Sequence, residues 1–414
     1  MGTDHKAELR PLREDEWDGW YDALYRAFGA GPASGEEREV ERAATEFDRS
    51  LAAWDGDALV GTAGAFSFRL TVPGGASVPT AGVTMVSVAA THRRRGVLTS
   101  MMRRQLDDFH ARGEPVAMLT ASEPAIYGRF GYGAATFRIS AEIDTSRVSL
   151  ALPAGTDEVR VRSAAPADVL DACEAVYAAL VPRRPGMLAR RPNWERVALV
   201  DPERHRDGGP PLQCVVAERD GEITGYARYH TKGSWEAGGA PAGTVRLKDL
   251  AGLDPATEAA LWRFLFGIDL MTTLSVPSRP VDDALRYLVS DIRRCDPRLR
   301  DDAYVRLVDV GAALSARTYQ APVDVVFEVE DAFGPWNAGR WRLTGDAKGA
   351  SCERTADAPE LALSVRELGS AYLGGVSLLS LAAAERVREL RPGALTEASV
   401  AFGSPLAPWL PHGF

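Results

Sequence analysis

VTMVSVAATHRRRGVLTSMM, residues 83–102, joins a strand-like apolar run to an amphipathic helix through a basic turn that contains a glycine. Its first half has the β-branched, apolar character of a buried strand, and over residues 96–112 the spacing changes to that of a helix. Leu98, Met101, Met102, Leu106 and Phe109 fall on one helical face, Arg103, Arg104, Asp107 and Asp108 on the other, and Gly113 is the stop. A helix N-terminus offers unpaired backbone N–H groups and a partial positive charge. Together they suit a pyrophosphate. Gly96 lets the backbone approach such a group without a Cβ in the way, and Arg93, Arg94 and Arg95 add positive charge at the mouth. A short basic turn with one glycine is also a common solvated surface turn, so spacing alone leaves both readings open.

Working outward, residues 10–28 read as an arm and a helix, with Trp17, Trp20, Tyr21, Leu24 and Phe28 at three- and four-residue steps. Strand-like runs, turned at Asp55-Gly56, lead from there to residue 83. On the other side, PVAMLTA (115–121) reads as a short buried strand, then a helical turn and a final strand pair ending near Asp144. The order is αβββ, then βαβ. It recurs: residues 161–180 repeat the arm and helix, CVVAERDGEITGYARYH (214–230) repeats the hairpin, and residues 244–267 repeat the strand and helix. In the second copy LDPATEA (253–259) replaces HRRRGVL, so the fold is expected to persist without the phosphate site. From about Arg300 the pattern becomes an α+β unit, with strands in VDVVFEVED and GRWRLTGD, then ELALSVRELGSAYLGG and a helix over 377–391. The tail GSPLAPWLPHGF (403–414) holds three prolines and two glycines and cannot be regular helix.

A chain of 414 residues exceeds what one core usually serves, so two or three domains are expected. A formal charge of -9 argues against nucleic acid and favours cationic partners. The four cysteines, Cys173, Cys214, Cys295 and Cys352, form no CxxC pair, so neither a metal nor a redox site is expected. The N-terminus is charged where a signal peptide needs an apolar core, and no stretch reaches the length of a membrane span; a cytoplasmic protein is expected.

Taken with ASEPAIYGRFGYGAAT (121–136), residues 83–102 resemble the GNAT acetyltransferases, in which RxxGx(G/A) cradles CoA and a later tyrosine motif lies over the thioester. Leu98 stands where that motif has Gly or Ala. The departure fits one subfamily, the enhanced intracellular survival (Eis) acetyltransferases of actinobacteria, which the sequence also resembles in RLTVPGG, VPTAG, YLGG and overall length. The resemblance implies an α+β (mixed α/β) protein: tandem GNAT folds, the second degenerate, followed by a sterol-carrier-protein-like α+β domain. The implied divisions are 1–150, 151–299 and 300–414, the last carrying a catalytic C-terminus. It further implies acetyl-CoA as cosubstrate, held by Val86, Ser87 and Val88 along its acetyl-pantetheine arm and by Arg94, Arg95, Gly96, Val97, Leu98 and Thr99 at its pyrophosphate, with Ser122 and Glu123 as further contacts. Tyr127 matches the family's general acid and the carboxylate of Phe414 its general base. A homohexamer without metal is implied, acting on primary amines of polycationic acceptors, aminoglycoside-like amines and lysine side chains, at one or several positions of one molecule.

These roles make chemical sense. An alkyl ammonium, with a pKa of about 10.4, must lose its proton to attack a thioester, and a departing thiolate gains from a hydroxyl donor. A backbone N–H on the edge of residues 83–89 would meet charge developing on the thioester oxygen. His92 is a rival base within the phosphate turn, and Glu36, Glu37 and Glu39 are candidate attractors of a cationic acceptor. Two other readings remain: a lipid- or small-molecule-binding protein using its last domain, with the GNAT parts as scaffold, and a dedicated protein-lysine acetyltransferase.

Overall fold

Three β-sheets organise the chain in the computed structural model, which describes residues 7–414. The first six residues of the charged N-terminal stretch lie outside the described residues. In the first sheet the strands run in the order Glu8–Pro11, Leu51–Asp55, Ala58–Thr71, Ser77–Val88, Val116–Thr120, Ala303–Leu307 and Gly133–Ala134. The second sheet runs Arg298–Asp301, Phe137–Asp144, Met271–Pro280, Gly243–Gly252, Glu222–Lys232, Gln213–Arg219 and Arg160–Ala164.

The two sheets exchange strands. Phe137–Asp144, expected to complete the first unit, instead pairs with Met271–Pro280 and Arg298–Asp301 of the second. Ala303–Leu307 crosses the other way, between Val116–Thr120 and Gly133–Ala134. Every residue of Ala303–Leu307 is buried, which requires cover on both faces. The helix Val365–Ala371 of the last unit supplies part of that cover, and Gly369 allows it to approach, since a Cβ there would fall 2.3 Å from the Val305 carbonyl. Arg306, fully buried on the exchanged strand, pairs with Asp331 of the last unit at 2.6 Å. Removing one partner of such a pair strands a buried charge, so this contact fixes the last unit to the first sheet.

The third sheet runs Gly349–Arg354, Gly339–Asp346, Val323–Glu330, Leu361–Ser364 and Val387–Glu389. The single helix expected over 377–391 is in fact a short helix, Leu378–Ala383, followed by the strand Val387–Glu389. Glu385 takes a left-handed φ of 59°, which cannot continue a helix. One apolar core runs from Phe68, Val116 and Met118 of the first sheet to Phe327, Leu363 and Leu368 of the last unit, and Phe414 packs against it. Among the described residues no helix is long and apolar enough to cross a membrane.

Candidate active site

The strand Ser77–Val88 pairs with Ala58–Thr71 as far as Val88, but with its parallel neighbour Val116–Thr120 only through Thr80, Ala81 and Gly82. Beyond Gly82 the parallel strands part. The cause is a β-bulge: the register shifts opposite Thr62 and Gly64, and Met85 takes a φ of +53°. Thr62 pins the bulge by donating its hydroxyl to the Met85 carbonyl at 2.8 Å, with the Ser87 hydroxyl 2.7 Å away. The edge of residues 83–88 that faces Val116–Thr120 therefore keeps backbone polar groups without a strand partner, ready for a ligand amide.

At the end of this strand the turn is tied down by His92, whose Nε2 lies 3.0 Å from Asp55 Oδ2 and whose Nδ1 lies 2.8 Å from the Thr91 hydroxyl. Gly96, with φ +82°, then caps the helix Val97–Ala111 in a backbone region that side-chain-bearing residues disfavour. The N–H of Ser100 donates to the Gly96 carbonyl at 2.9 Å, which leaves the N–H groups of Val97, Leu98 and Thr99 without intrahelical acceptors. No acidic residue stands in that first turn. A cleft of about 760 Å³ opens here, lined by Val86, Ser87, Val88, Arg94, Gly96, Val97, Leu98, Thr99, Ser122, Glu123 and Tyr127. The donor set fits a pyrophosphate carrying a peptide-like arm: free N–H groups at a positive helix end, arginines at the mouth, and an unpaired strand edge beyond. Of the cofactor residues expected from sequence, Arg95 alone lies outside this cleft; it lines a small crevice with Ala7, Leu9 and Ala53.

A second pocket, of about 380 Å³, adjoins the first, and Phe28, Val86, Ser122 and Tyr127 line both. Tyr127 ends the short helix Pro124–Tyr127, half-buried, with its ring edge-on to Tyr132 at 6.1 Å. Burial and the neighbouring Glu123 carboxylate push its pKa above the ordinary tyrosine value. Its hydroxyl is therefore a proton donor throughout the neutral range.

Phe414 reaches the same pocket from the far end of the chain. Its ring meets Phe68 edge-on at 5.1 Å, and Gly82, at the fork of the strands, makes room: a Cβ there would lie 2.5 Å from the Phe68 ring and 3.2 Å from that of Phe414. The proline- and glycine-rich tail that leads there is docked by specific bonds. Trp409 N–H donates to the Pro185 carbonyl at 2.9 Å, Ala407 N–H to Asp282 at 2.9 Å, and Arg184 donates to the Ala407 carbonyl at 2.7 Å. His412 lies 3.1 Å from the Tyr177 hydroxyl, and burial together with Arg190 pushes its pKa down to about 3, so the ring is neutral.

The bed for this tail is the second unit's own cleft. There the strand Gly243–Gly252 pairs with Met271–Pro280 only up to Arg246, and a cavity of about 740 Å³ opens beyond, with Trp409, Pro411, His412 and Gly413 on its wall. The adjoining helix, Pro255–Phe266, offers no phosphate site. Asp254 accepts from Thr257 N–H at 2.9 Å, Pro255 has no N–H, and Glu258 adds a carboxylate to the first turn.

The glutamates offered as acceptor attractors are occupied or remote. Glu37 is buried and paired with Arg204, Glu39 bonds Arg196 at 2.9 Å, and neither these nor Glu36 lines the pocket. Instead Arg204 and His205, from a loop of the second unit, form part of its wall. No motif marks them in sequence; only packing of the two units brings them to the site.

Three domain families match the chain in succession. Residues 8–135 match an acetyltransferase (GNAT) domain family, residues 186–307 a second acetyltransferase (GNAT) domain family, and residues 310–411 a sterol carrier protein domain family. The chain is 73% identical over 411 residues to an uncharacterized N-acetyltransferase of Streptomyces coelicolor, covering 98% of this chain and 99% of the relative. It is 34% identical over 409 residues to the N-acetyltransferase Eis of Mycobacterium tuberculosis, covering 94% and 95%. The crystal structure of Eis1 from Mycobacterium abscessus superposes with a TM-score of 0.84 at 34% identity, covering 99% of this chain and 100% of that one.

Proposed function

We propose, from the premise that this chain belongs to the Eis-like family of GNAT N-acetyltransferases, that the larger cleft takes acetyl-CoA and the smaller pocket the accepting amine. Two GNAT folds and a sterol-carrier-protein-like domain make up its α+β architecture, and GNAT acetyltransferases use acetyl-CoA. The cosubstrate supplies an activated acetyl group as a thioester. The N–H groups of Val97, Leu98 and Thr99 would hold its pyrophosphate with Arg94, and the free edge at Val86, Ser87 and Val88 would take the amides of its arm. Phe414 would accept the ammonium proton through its carboxylate, freeing the nitrogen to form the new C–N bond. As the C–S bond breaks, Tyr127 would give its hydroxyl proton to the sulfur and regain one from the nitrogen, which sheds its second proton on becoming the amide, while the proton taken up by Phe414 passes to water. One observation carries this reading: Tyr127 lines both cavities, and Phe414 shares the smaller one with it.

The test is thiol release from acetyl-CoA with a panel of aminoglycosides, polyamines, simple monoamines and lysine peptides. No turnover with any amine would remove the reading. Calorimetric titration is expected to give one CoA site per chain, because the second unit's helix start is capped by Asp254 and carries Glu258; two equivalent sites would contradict this. Arg94→Glu is expected to weaken CoA binding by roughly 10–100-fold, as for a charge-assisted contact worth about 1.5–3 kcal/mol, with less effect on turnover of the bound complex. An unchanged affinity would take Arg94 out of the site. The family resemblance also makes a homohexamer the assembly to look for by sedimentation.

A further inference from the structure

The cleft of the second unit encloses about 740 Å³, close to the 760 Å³ of the cofactor cleft, and no step proposed above uses it. Cavities of that size hold small-molecule ligands. Its walls are part aliphatic and part aromatic: Leu180, Leu253, Leu288 and Leu406 line it together with Trp194 and Trp409. Leu406 is 40% exposed, which leaves apolar surface for a ligand to cover.

The charges on these walls do not cancel. Each lining carboxylate, on Asp249, Asp254, Glu258, Asp282 and Asp283, is paired with an arginine. Two lining cations have no such partner. Arg183 donates to the Leu253 carbonyl at 3.1 Å and Lys248 to the Val200 carbonyl at 3.0 Å, and neither forms an ion pair among the described residues. Burial pushes the Lys248 pKa below the ordinary lysine value, so the enclosing protein costs this ammonium solvation that no ion-paired carboxylate offsets. An anion in the cavity would offset it. A pyrophosphate is not the match, because Asp254 and Glu258 stand at the start of the adjoining helix.

One wall of the cavity is the C-terminal tail, where His412 and Gly413 lie immediately before Phe414. A Cβ on Gly413 would meet nothing within 4 Å, so this stretch of the tail is backed by open space. A body filling the cavity would back it with packed atoms and narrow the freedom of the residues that carry the terminal carboxylate.

We infer that this cavity is a second ligand site, taking an anion with an aromatic or apolar body, and that its occupant speeds acetyl transfer by steadying the tail. The effect on rate rests on Phe414 acting as the base; the binding does not.

The probe is anilinonaphthalenesulfonate, compared with phenylnaphthylamine, which has the same aromatic body without the anion. CoA is kept saturating in the titrations, so that the cofactor cleft is filled. By fluorescence the sulfonate is expected to bind once per chain, and the double variant Arg183→Gln, Lys248→Gln to weaken it by ~10-fold or more while moving phenylnaphthylamine by less than ~2-fold. CoA affinity retained by calorimetry certifies that the variant is folded. With saturating sulfonate, acetyl-CoA and an accepted amine, kcat is expected to rise ~2-fold or more in the unaltered chain and to stay level in the double variant. No saturable site for the sulfonate, or equal weakening of both probes in a CoA-binding variant, overturns the site. A kcat that is unchanged or lowered when the sulfonate is bound overturns its action on the tail. Failure to acetylate any amine would take the rate effect down with the proposed function, and the titration, which needs no acceptor, would still decide the site.

Discussion

Extension of the chain beyond Phe414, or deletion of Gly413 and Phe414, is expected to abolish acetyl transfer while leaving CoA binding largely intact. Loss of a general base commonly costs ~10²–10⁴ in rate, and the base proposed for this site is a single terminal carboxylate. Such a group has an ordinary pKa of about 3.3–3.7 in water. It is a weak base in water, and its use depends on being held beside the amine rather than on intrinsic strength. The tail provides that hold through Trp409, Ala407 and His412, and the Phe414 ring anchors against Phe68. Added residues turn the carboxylate into a peptide carbonyl, while deletion removes it. Neither touches Gly96, the first turn of the helix Val97–Ala111 or the edge at Val86, so CoA affinity by calorimetry should hold. A C-terminally tagged protein with full kcat would sink the carboxylate role. Glu123, which lines the cofactor cleft, would then be the next base to test through a bridging water, ahead of His92, whose ring is tied to Asp55.

How legible this site was in the sequence depends on how local its physics is. The geometry of the turn proposed to hold the cofactor is legible because everything it needs lies within about twenty residues: a strand, a left-handed glycine, arginines and a helix face. Tyr127 needed the second motif as well, since a tyrosine after a helical turn is by itself ordinary core. The exchange of Phe137–Asp144 for Ala303–Leu307 could not be read, because strand propensity names a strand but not its neighbour, and these partners are more than 100 residues away. Arg204 was invisible for the same reason: its meaning comes from Glu37 and Tyr25, reached only when the second unit packs on the first. The helix expected over 377–391 failed more locally, where the apolar spacing of Leu378 and Leu381 continues into Val387 although the backbone reverses at Glu385.

Tyr127→Phe is expected to lower kcat by roughly 10²-fold or more with the fold and the acetyl-CoA affinity retained. The substitution keeps the ring, and with it the edge-on contact to Tyr132 at 6.1 Å, and removes only the hydroxyl at the junction of the two cavities. A departing thiolate resembles that of a cysteine, with a pKa of about 8.5, so a donor placed at the sulfur stabilises the bond-breaking step without being needed for binding. The direction of the Tyr127 shift adds a second expectation. Its pKa is raised, by burial first and by Glu123 second, so the protonated form that can donate persists to higher pH than in a free tyrosine. Ionisation of Tyr127 should therefore produce no fall in kcat across the neutral and mildly alkaline range, and any alkaline decline should begin only above the ordinary tyrosine value of about 10. Saturating kinetics across pH would check both: a kcat near normal in folded Tyr127→Phe returns this tyrosine to the role of a packed ring, and an alkaline limb near pH 8 that disappears in the variant would show that its hydroxyl is acidified rather than held protonated.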